Sequence, residues 1–226
     1  MSIVKVLPEF RAGGGAQMAF DEGLLETVEE VMARRYTWSP PALSIGRFQE
    51  LALVPGLPFE VVRRPTGGRA VLHGEAFEWS FAVAFPPGVP STGPRATVDV
   101  GGPYGLVALA FTAALKELGL SLDDPGEVAY QRSALCFASA LRYDICSRGQ
   151  KVVAIAQAKK QGRTLVHGSF LVERPPEELT LAVEALVGEV WESEGLAGAG
   201  VALAPETVWT TTLRRLDAAL QRTAAG

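Results

Sequence analysis

Three arginines, two glycines and a histidine crowd one short stretch of this chain, Arg63-Arg64-Pro65-Thr66-Gly67-Gly68-Arg69-Ala70-Val71-Leu72-His73. An apolar, β-branched lead, Phe59-Glu60-Val61-Val62, runs into it. Gly67-Gly68 then lets the backbone take positive φ angles and approach another group closely, so the stretch reads as strand, turn, strand. Hydrogen-bond donors gathered round a tight corner suit an anionic or thioester-bearing ligand better than a metal. Standing alone, Gly-Gly between two strands is also the mark of a plain hairpin. A second candidate is Lys151, which opens a strand directly after Arg148-Gly149, where its ammonium would turn into a site or, as for most hairpin lysines, into water. Cys136 and Cys146 are too few for a disulfide scaffold, and with His73 and His167 as the two histidines the chain offers no metal-ligand spacing. Thiol chemistry would fall to a free cysteine, although most free cysteines are simply small buried apolar residues.

These groups need a frame. Ile3 to Leu7 reads as a short strand, and Gly13-Gly14-Gly15-Ala16 opens a helix whose apolar Met18, Ala19, Leu24, Leu25 and Val28 recur at three and four residues. Asp21 and Glu22 are expected to cap or orient that helix. Arg34 to Ser39 and Ala42 to Gly46 read as strands parted by Pro40-Pro41. Ala76 to Phe85 alternates Phe77, Trp79, Phe81 and Val83 with Glu78 and Ser80, as a half-buried strand does. The Pro- and Gly-rich segment from Pro86 to Gly102 reads as a loop, either a lid over a site or a mobile surface connection. A helix from Pro103 to Leu118 ends at Gly119, and Asp123-Asp124-Pro125-Gly126 makes a turn. Three further strands, Leu141 to Cys146, Lys151 to Ala156 and Thr164 to Val172, are joined by hairpins at Arg148-Gly149 and Gln161-Gly162. From Pro175 the pattern is helical, with a last helix from Pro205 to about Arg222. Strands dominate the middle and helices flank them, which predicts an α+β fold with a mixed, largely antiparallel sheet.

At 226 residues and 48% hydrophobic, the chain is long enough for one large core, and it reads as a single catalytic domain, 1–226, with a helical C-terminal segment, 175–226. A net charge of −4 argues against a general nucleic-acid binder, while the local arginines still suit an acidic partner. No apolar run approaches the roughly eighteen residues of a membrane span, and the first residues lack the features of a signal peptide, so a cytoplasmic protein is expected.

The run from Arg63 to His73 resembles the signature of the lipoate/biotin protein ligase and octanoyltransferase family. Gly67-Gly68-Arg69-Ala70-Val71-Leu72-His73 is similar to its octanoyltransferase branch, where arginine replaces the third glycine usual in lipoate-protein ligases. Other segments agree in order. Gln17 to Glu22 resembles the family's first helix, and Trp38 to Gln49 its proline-containing strand pair. Cys136-Phe137 resembles a Cys-Phe segment, Lys151 to Gln157 the lysine motif, and His167-Gly168-Ser169 the motif that follows. The likeness spans residues 15 to 175.

The resemblance implies a biotin/lipoate ligase-like catalytic domain that binds a medium-chain acyl or lipoyl group in a narrow tunnel. It implies Cys136 as the nucleophile that carries the acyl group as a thioester, and Lys151 as its partner. Arg64, Thr66, Gly67, Gly68, Arg69, Ala70, His73, Gln157, His167 and Gly168 are implied as substrate-binding residues. The donor would be acyl carrier protein, and the acceptor a lysine on a lipoyl domain of a 2-oxoacid dehydrogenase complex or on the glycine cleavage H protein. No metal or cofactor is needed on this reading. A lipoate-protein ligase would instead use ATP and Mg to make an acyl-adenylate against the glycine turn, and a third reading is a non-catalytic binder of acylated carrier domains. Cys146 matches no family position and reads as structural. Three departures stand out: Ala154 where the lysine motif has glycine, Gly74 where an acidic residue is frequent, and Ala76 for a usual glutamate.

Overall fold

The computed structural model describes residues 2–89, 102–124, 133–138 and 144–224. Its main sheet has seven strands. β1 (Lys5–Val6) and β2 (Phe10–Ala12) both lie parallel to β3 (Met32–Trp38), and the order continues through β7 (Glu78–Phe85), β10 (Arg163–Leu171) and β9 (Gln150–Lys160) to β8 (Ile145–Ser147), all antiparallel. A second sheet of three strands sets β4 (Ala42–Ile45) between β5 (Glu60–Arg63) and β6 (Val71–His73). The architecture is α+β and largely antiparallel, as the sequence pattern predicts.

The two sides of the main sheet differ. From β7, the side chains of Trp79, Phe81, Val83 and Phe85 join Phe170, Val153 and Phe111 in the largest hydrophobic cluster. That layer is closed by helices α2 (Pro103–Glu117) and α5 (Pro205–Ala224). The opposite parity faces helix α1 (Gly14–Thr27) and the small sheet, and here register sets Tyr36, Ser80, Ser169 and Ala154 side by side across four strands. The next row is Arg34, Ala82, His167 and Ala156. β7 is therefore buried on both faces rather than half-buried, because its polar parity is covered by the small sheet and not by water.

The stretch from Arg63 to His73 is not a hairpin. β5 runs parallel to β4 and β6 antiparallel to it, so the chain passes over the C-terminal end of β4 at Gly67-Gly68 and returns on its other side. The turns at Arg148-Gly149 and Gln161-Gly162 are hairpins, with φ of 51° and 76° in the first and 50° and 81° in the second, as a two-residue primed turn requires. The α1 N-terminus is held by Glu60 of β5, whose carboxylate accepts from the N–H groups of Gly14 and Gly15. Helices α3 (Glu177–Val187) and α5 match the expected helical pattern; a single turn, α4 (Gly195–Gly198), was not anticipated. Residues 90–101, 125–126 and 141–143, which carry most of the expected lid loop, part of the turn after Asp124 and the start of the strand expected from Leu141 to Cys146, lie outside the described residues. No described helix is long and apolar enough to cross a membrane.

Candidate active site

Between the two sheets lies a cavity of about 290 Å³. Met18, Tyr36, Trp38, Val71, Ala154, Ile155 and Ala156 give it apolar walls, and Cys136, Lys151, Asp144 and Arg64 bring its chemistry. The cysteine is placed through its backbone. Ala70 donates its N–H to Ala134 O at 3.0 Å and accepts from the N–H of Cys136 at 2.8 Å, so the segment before the cysteine runs alongside the exit of the glycine turn. Glu189 fixes the same segment by accepting from the Ser133 hydroxyl and the Ala134 N–H, while Gln49 Nε2 donates to Ala134 O.

Lys151 is buried at the start of β9. Its Nζ donates to Cys136 O at 2.7 Å, lies 3.4 Å from Cys136 Sγ, and pairs with Asp144 Oδ2 at 2.7 Å. The side chains of lysine and aspartate are 3% and 5% exposed. Burial alone would favour the neutral amine, but the Cys136 thiolate and the Asp144 carboxylate outweigh it and hold the Lys151 pKa above its ordinary value. An ammonium so held stabilises a thiolate on the neighbouring sulfur. Asp144 was not among the residues expected at the site. Across the Arg148-Gly149 hairpin Lys151 pairs with Cys146, but a register shift between Ile145 and Cys146 breaks the ladder before Asp144, so spacing alone does not place that carboxylate.

Arg64 builds the glycine turn more than it offers donors to a ligand. Its buried guanidinium donates to the carbonyls of Ser44, Gly67 and Arg69 and to the Ser44 hydroxyl. Gly68 has φ 95° and lines the cavity; an added Cβ would stand 2.8 Å from Arg64 Nη2. Among the described residues no acceptor takes the N–H of Gly67 or Gly68, which leaves two backbone donors at the turn. Arg69 lines the cavity mouth beside them.

Both histidines belong to buried networks. His167 Nδ1–H donates to Asp21 Oδ2 at 2.8 Å, and Thr66 Oγ lies 2.7 Å from its Nε2. Asp21 also accepts from Tyr36 Oη and from Arg34, which is itself 1% exposed and bonded to Gln17. Asp21 does not cap α1: it sits mid-helix, fully buried, and orients the helix by tying it to β3 and β10 as the acceptor at the centre of this network. His73 stacks on Trp38 with centroids 4.0 Å apart, and burial pushes its pKa down, so the ring is neutral at pH 7. Its Nδ1 faces Glu78, 3.2 Å away, while Ser80 and Ser169 donate to the same carboxylate. Its Nε2 then accepts from the Ser44 hydroxyl at 2.8 Å. Glu78 was not expected here.

Of the residues implied by the resemblance, Cys136, Lys151, Arg64, Gly68, Arg69, His73, His167 and Gly168 line the cavity together. Thr66 and Ala70 are buried behind it, and Gly67 lies in the turn beside it. Gln157 is exposed on β9 and is not part of the lining. Cys146 is buried, and desolvation together with the Asp144 charge pushes its thiol up to about 12. Iodoacetamide at pH 8 should therefore alkylate Cys136 and leave Cys146 unmodified, as peptide mapping after a short exposure would show. Labelling of Cys146 at a comparable rate would contradict that burial.

The family whose description is lipoyl protein ligase A/B catalytic domain matches residues 14–199. The chain belongs to this family. An octanoyltransferase LipM of Kyrpidia tusciae is 33% identical over 197 residues, covering 79% of this chain and 69% of that protein. The chain spans between 60% and 69% of the length of this and two further octanoyltransferase relatives. Among solved structures, protein Ta0514 of T. acidophilum with bound lipoic acid superposes with a TM-score of 0.70 at 20% identity, over 97% of this chain and 86% of that one. The bipartite lipoate protein ligase of Thermoplasma acidophilum, studied with its E2 lipoyl domain, gives 0.63 at 21%, over 97% and 84%. These likenesses identify the fold as that of the lipoate-protein ligase catalytic domain.

Proposed function

We propose that this protein transfers an octanoyl or lipoyl group from an acyl carrier protein thioester, through a thioester on Cys136, to a lysine of a lipoyl carrier domain. The observation that carries the reading is the contact of Lys151 Nζ with Cys136 Sγ inside an acyl-sized cavity. Relatives named octanoyltransferase support the acyl group, and a neighbour studied with its E2 lipoyl domain supports the class of acceptor.

The Cys136 thiolate, steadied by the Lys151 ammonium, attacks the donor carbonyl, and the carrier's thiol leaves. The oxyanion that forms in each half-reaction is met by the ammonium and by the backbone donors of the glycine turn. The acceptor's amine then attacks the enzyme thioester, expels the Cys136 thiolate and gives an amide. One thioester replaces another in the first half, so ATP and Mg play no part. The apolar walls bind the chain at about 0.8 kcal/mol per buried methylene.

Intact-mass spectrometry of the protein mixed with octanoyl-acyl carrier protein, without ATP, tests this. The expected result is an octanoyl adduct that neutral hydroxylamine removes and that Cys136→Ser does not form in that labile form. Modification of a lipoyl domain only when ATP and free lipoate are supplied would instead make the protein a ligase. Tight carrier binding without transfer under either condition would leave a non-catalytic binder.

A further inference from the structure

Lys151 activates Cys136 and also endangers it. An uncharged amine 3.4 Å from the sulfur would lie within reach of the carbonyl of an acyl group carried there. Its nitrogen would attack that carbonyl; the C–N bond would form and the C–S bond break. The proton lost by the nitrogen would pass to the departing sulfur. The products, a Lys151 amide and a free Cys136 thiol, are a dead end, because an amide does not return its acyl group to a thiol.

Two negative charges oppose the effect of burial on Lys151, one on the Cys136 sulfur whenever it is a thiolate and one on the Asp144 carboxylate. Forming the thioester abolishes the first, at the step when a neutral amine would do damage. The Asp144 carboxylate remains, 2.7 Å from Nζ. Among the described residues, the other ionisable groups around the pair do not substitute for it. Cys146, opposite Lys151 on β8, stays a neutral thiol, and Arg64 in the cavity wall carries the same sign as the lysine. Cys136 O still accepts a hydrogen bond from Nζ after acylation and also favours the ammonium, but as a neutral dipole it opposes the effect of burial less than a full carboxylate charge at the same distance does.

We infer that Asp144 is a positioning residue that protects the acyl-enzyme, keeping Lys151 an ammonium through the thioester stage so that the enzyme does not acylate itself. The inference rests on the thioester mechanism proposed above and adds to it a role for the carboxylate that pairs with Lys151.

The test compares wild type with Asp144→Asn, each loaded with octanoyl-acyl carrier protein and followed by intact mass before and after neutral hydroxylamine, with peptide mapping of the adduct. Wild type should hold a fully hydroxylamine-sensitive adduct at Cys136. Asp144→Asn should accumulate a resistant octanoyl amide on Lys151 as its main product, and its transfer to a lipoyl domain should stop after a few turnovers. Wild-type acyl-enzyme should stay free of the Lys151 amide up to the ordinary lysine range, and Asp144→Glu, which keeps the carboxylate, should behave as wild type does; both readings keep the idea testable if Asp144→Asn does not fold. A fully hydroxylamine-sensitive adduct in Asp144→Asn, or Lys151 amide accumulating in wild type at neutral pH, would overturn the protective role and leave the thioester mechanism standing. A wild type that takes up no acyl group removes both.

Discussion

Replacing Lys151 with methionine should slow acylation of Cys136 by roughly 100- to 1000-fold, the range seen when a donor aimed at a developing oxyanion is lost. Methionine keeps most of the length and apolar stem of lysine, so the cavity wall is preserved while the charge beside the sulfur is removed. Two effects add in the same direction, since the ammonium both stabilises the attacking thiolate and meets the oxyanion. Iodoacetamide alkylation separates them. It reports thiolate alone, so a fall in alkylation smaller than the fall in acylation would measure the oxyanion share. Lys151→Arg should restore little, because a planar fork does not reproduce a compact ammonium bonded at 2.7 Å to both Cys136 O and Asp144. Acylation at the wild-type rate in Lys151→Met would remove the lysine from the mechanism.

The pieces of this site differ in how visible they are in the chain. Cys136, the Arg64 to His73 run and Lys151 are local motifs, and the hairpin turns that flank β9 are fixed by residue type, so these were legible. What the sequence did not display was pairing at long range. The alternation from Phe77 to Val83 looks like a strand with one wet face, because Glu78 and Ser80 are polar; in the folded protein that face is buried against His73 and Ser169. Gly67-Gly68 looks like a hairpin because nothing in the stretch shows that β4, some twenty residues earlier, will insert between β5 and β6. Gln157 follows Lys151 by six residues in one motif, yet register sets it in the row of Val166 and Val83, on the sheet face turned away from the cavity, and its side chain is exposed. Asp21 and Glu22 are neighbours of like charge, and only the fold distinguishes the exposed one from the one that anchors His167.

That anchoring network supports the largest expected loss of stability. Arg34→Met should destabilise the protein by about 3–5 kcal/mol, the usual cost of removing one partner from a buried ion pair. For a chain of this size the corresponding drop in melting temperature is roughly 10 °C. The cost arises because Asp21, fully buried, would keep its bonds to Tyr36 and His167 but lose the guanidinium that balances its charge. Burial acts against the ionised carboxylate, but the Arg34 charge and the His167 bond outweigh it and hold the Asp21 pKa below its ordinary value. A folded-state pKa below the unfolded one adds stability that is fully present above the unfolded value and is lost as pH falls through the folded one. Wild type should therefore lose this contribution progressively below about pH 4. Asp21→Asn, which cannot ionise, should show a flatter acid limb in a plot of melting temperature against pH and a lower plateau at pH 7. A steep acid limb in Asp21→Asn would assign acid sensitivity to other carboxylates. Because His167, which lines the cavity, is held through Nδ1 by the same Asp21 carboxylate, Asp21→Asn should also raise KM for the acyl donor more than it lowers kcat, which a purely global loss of folded protein would not do.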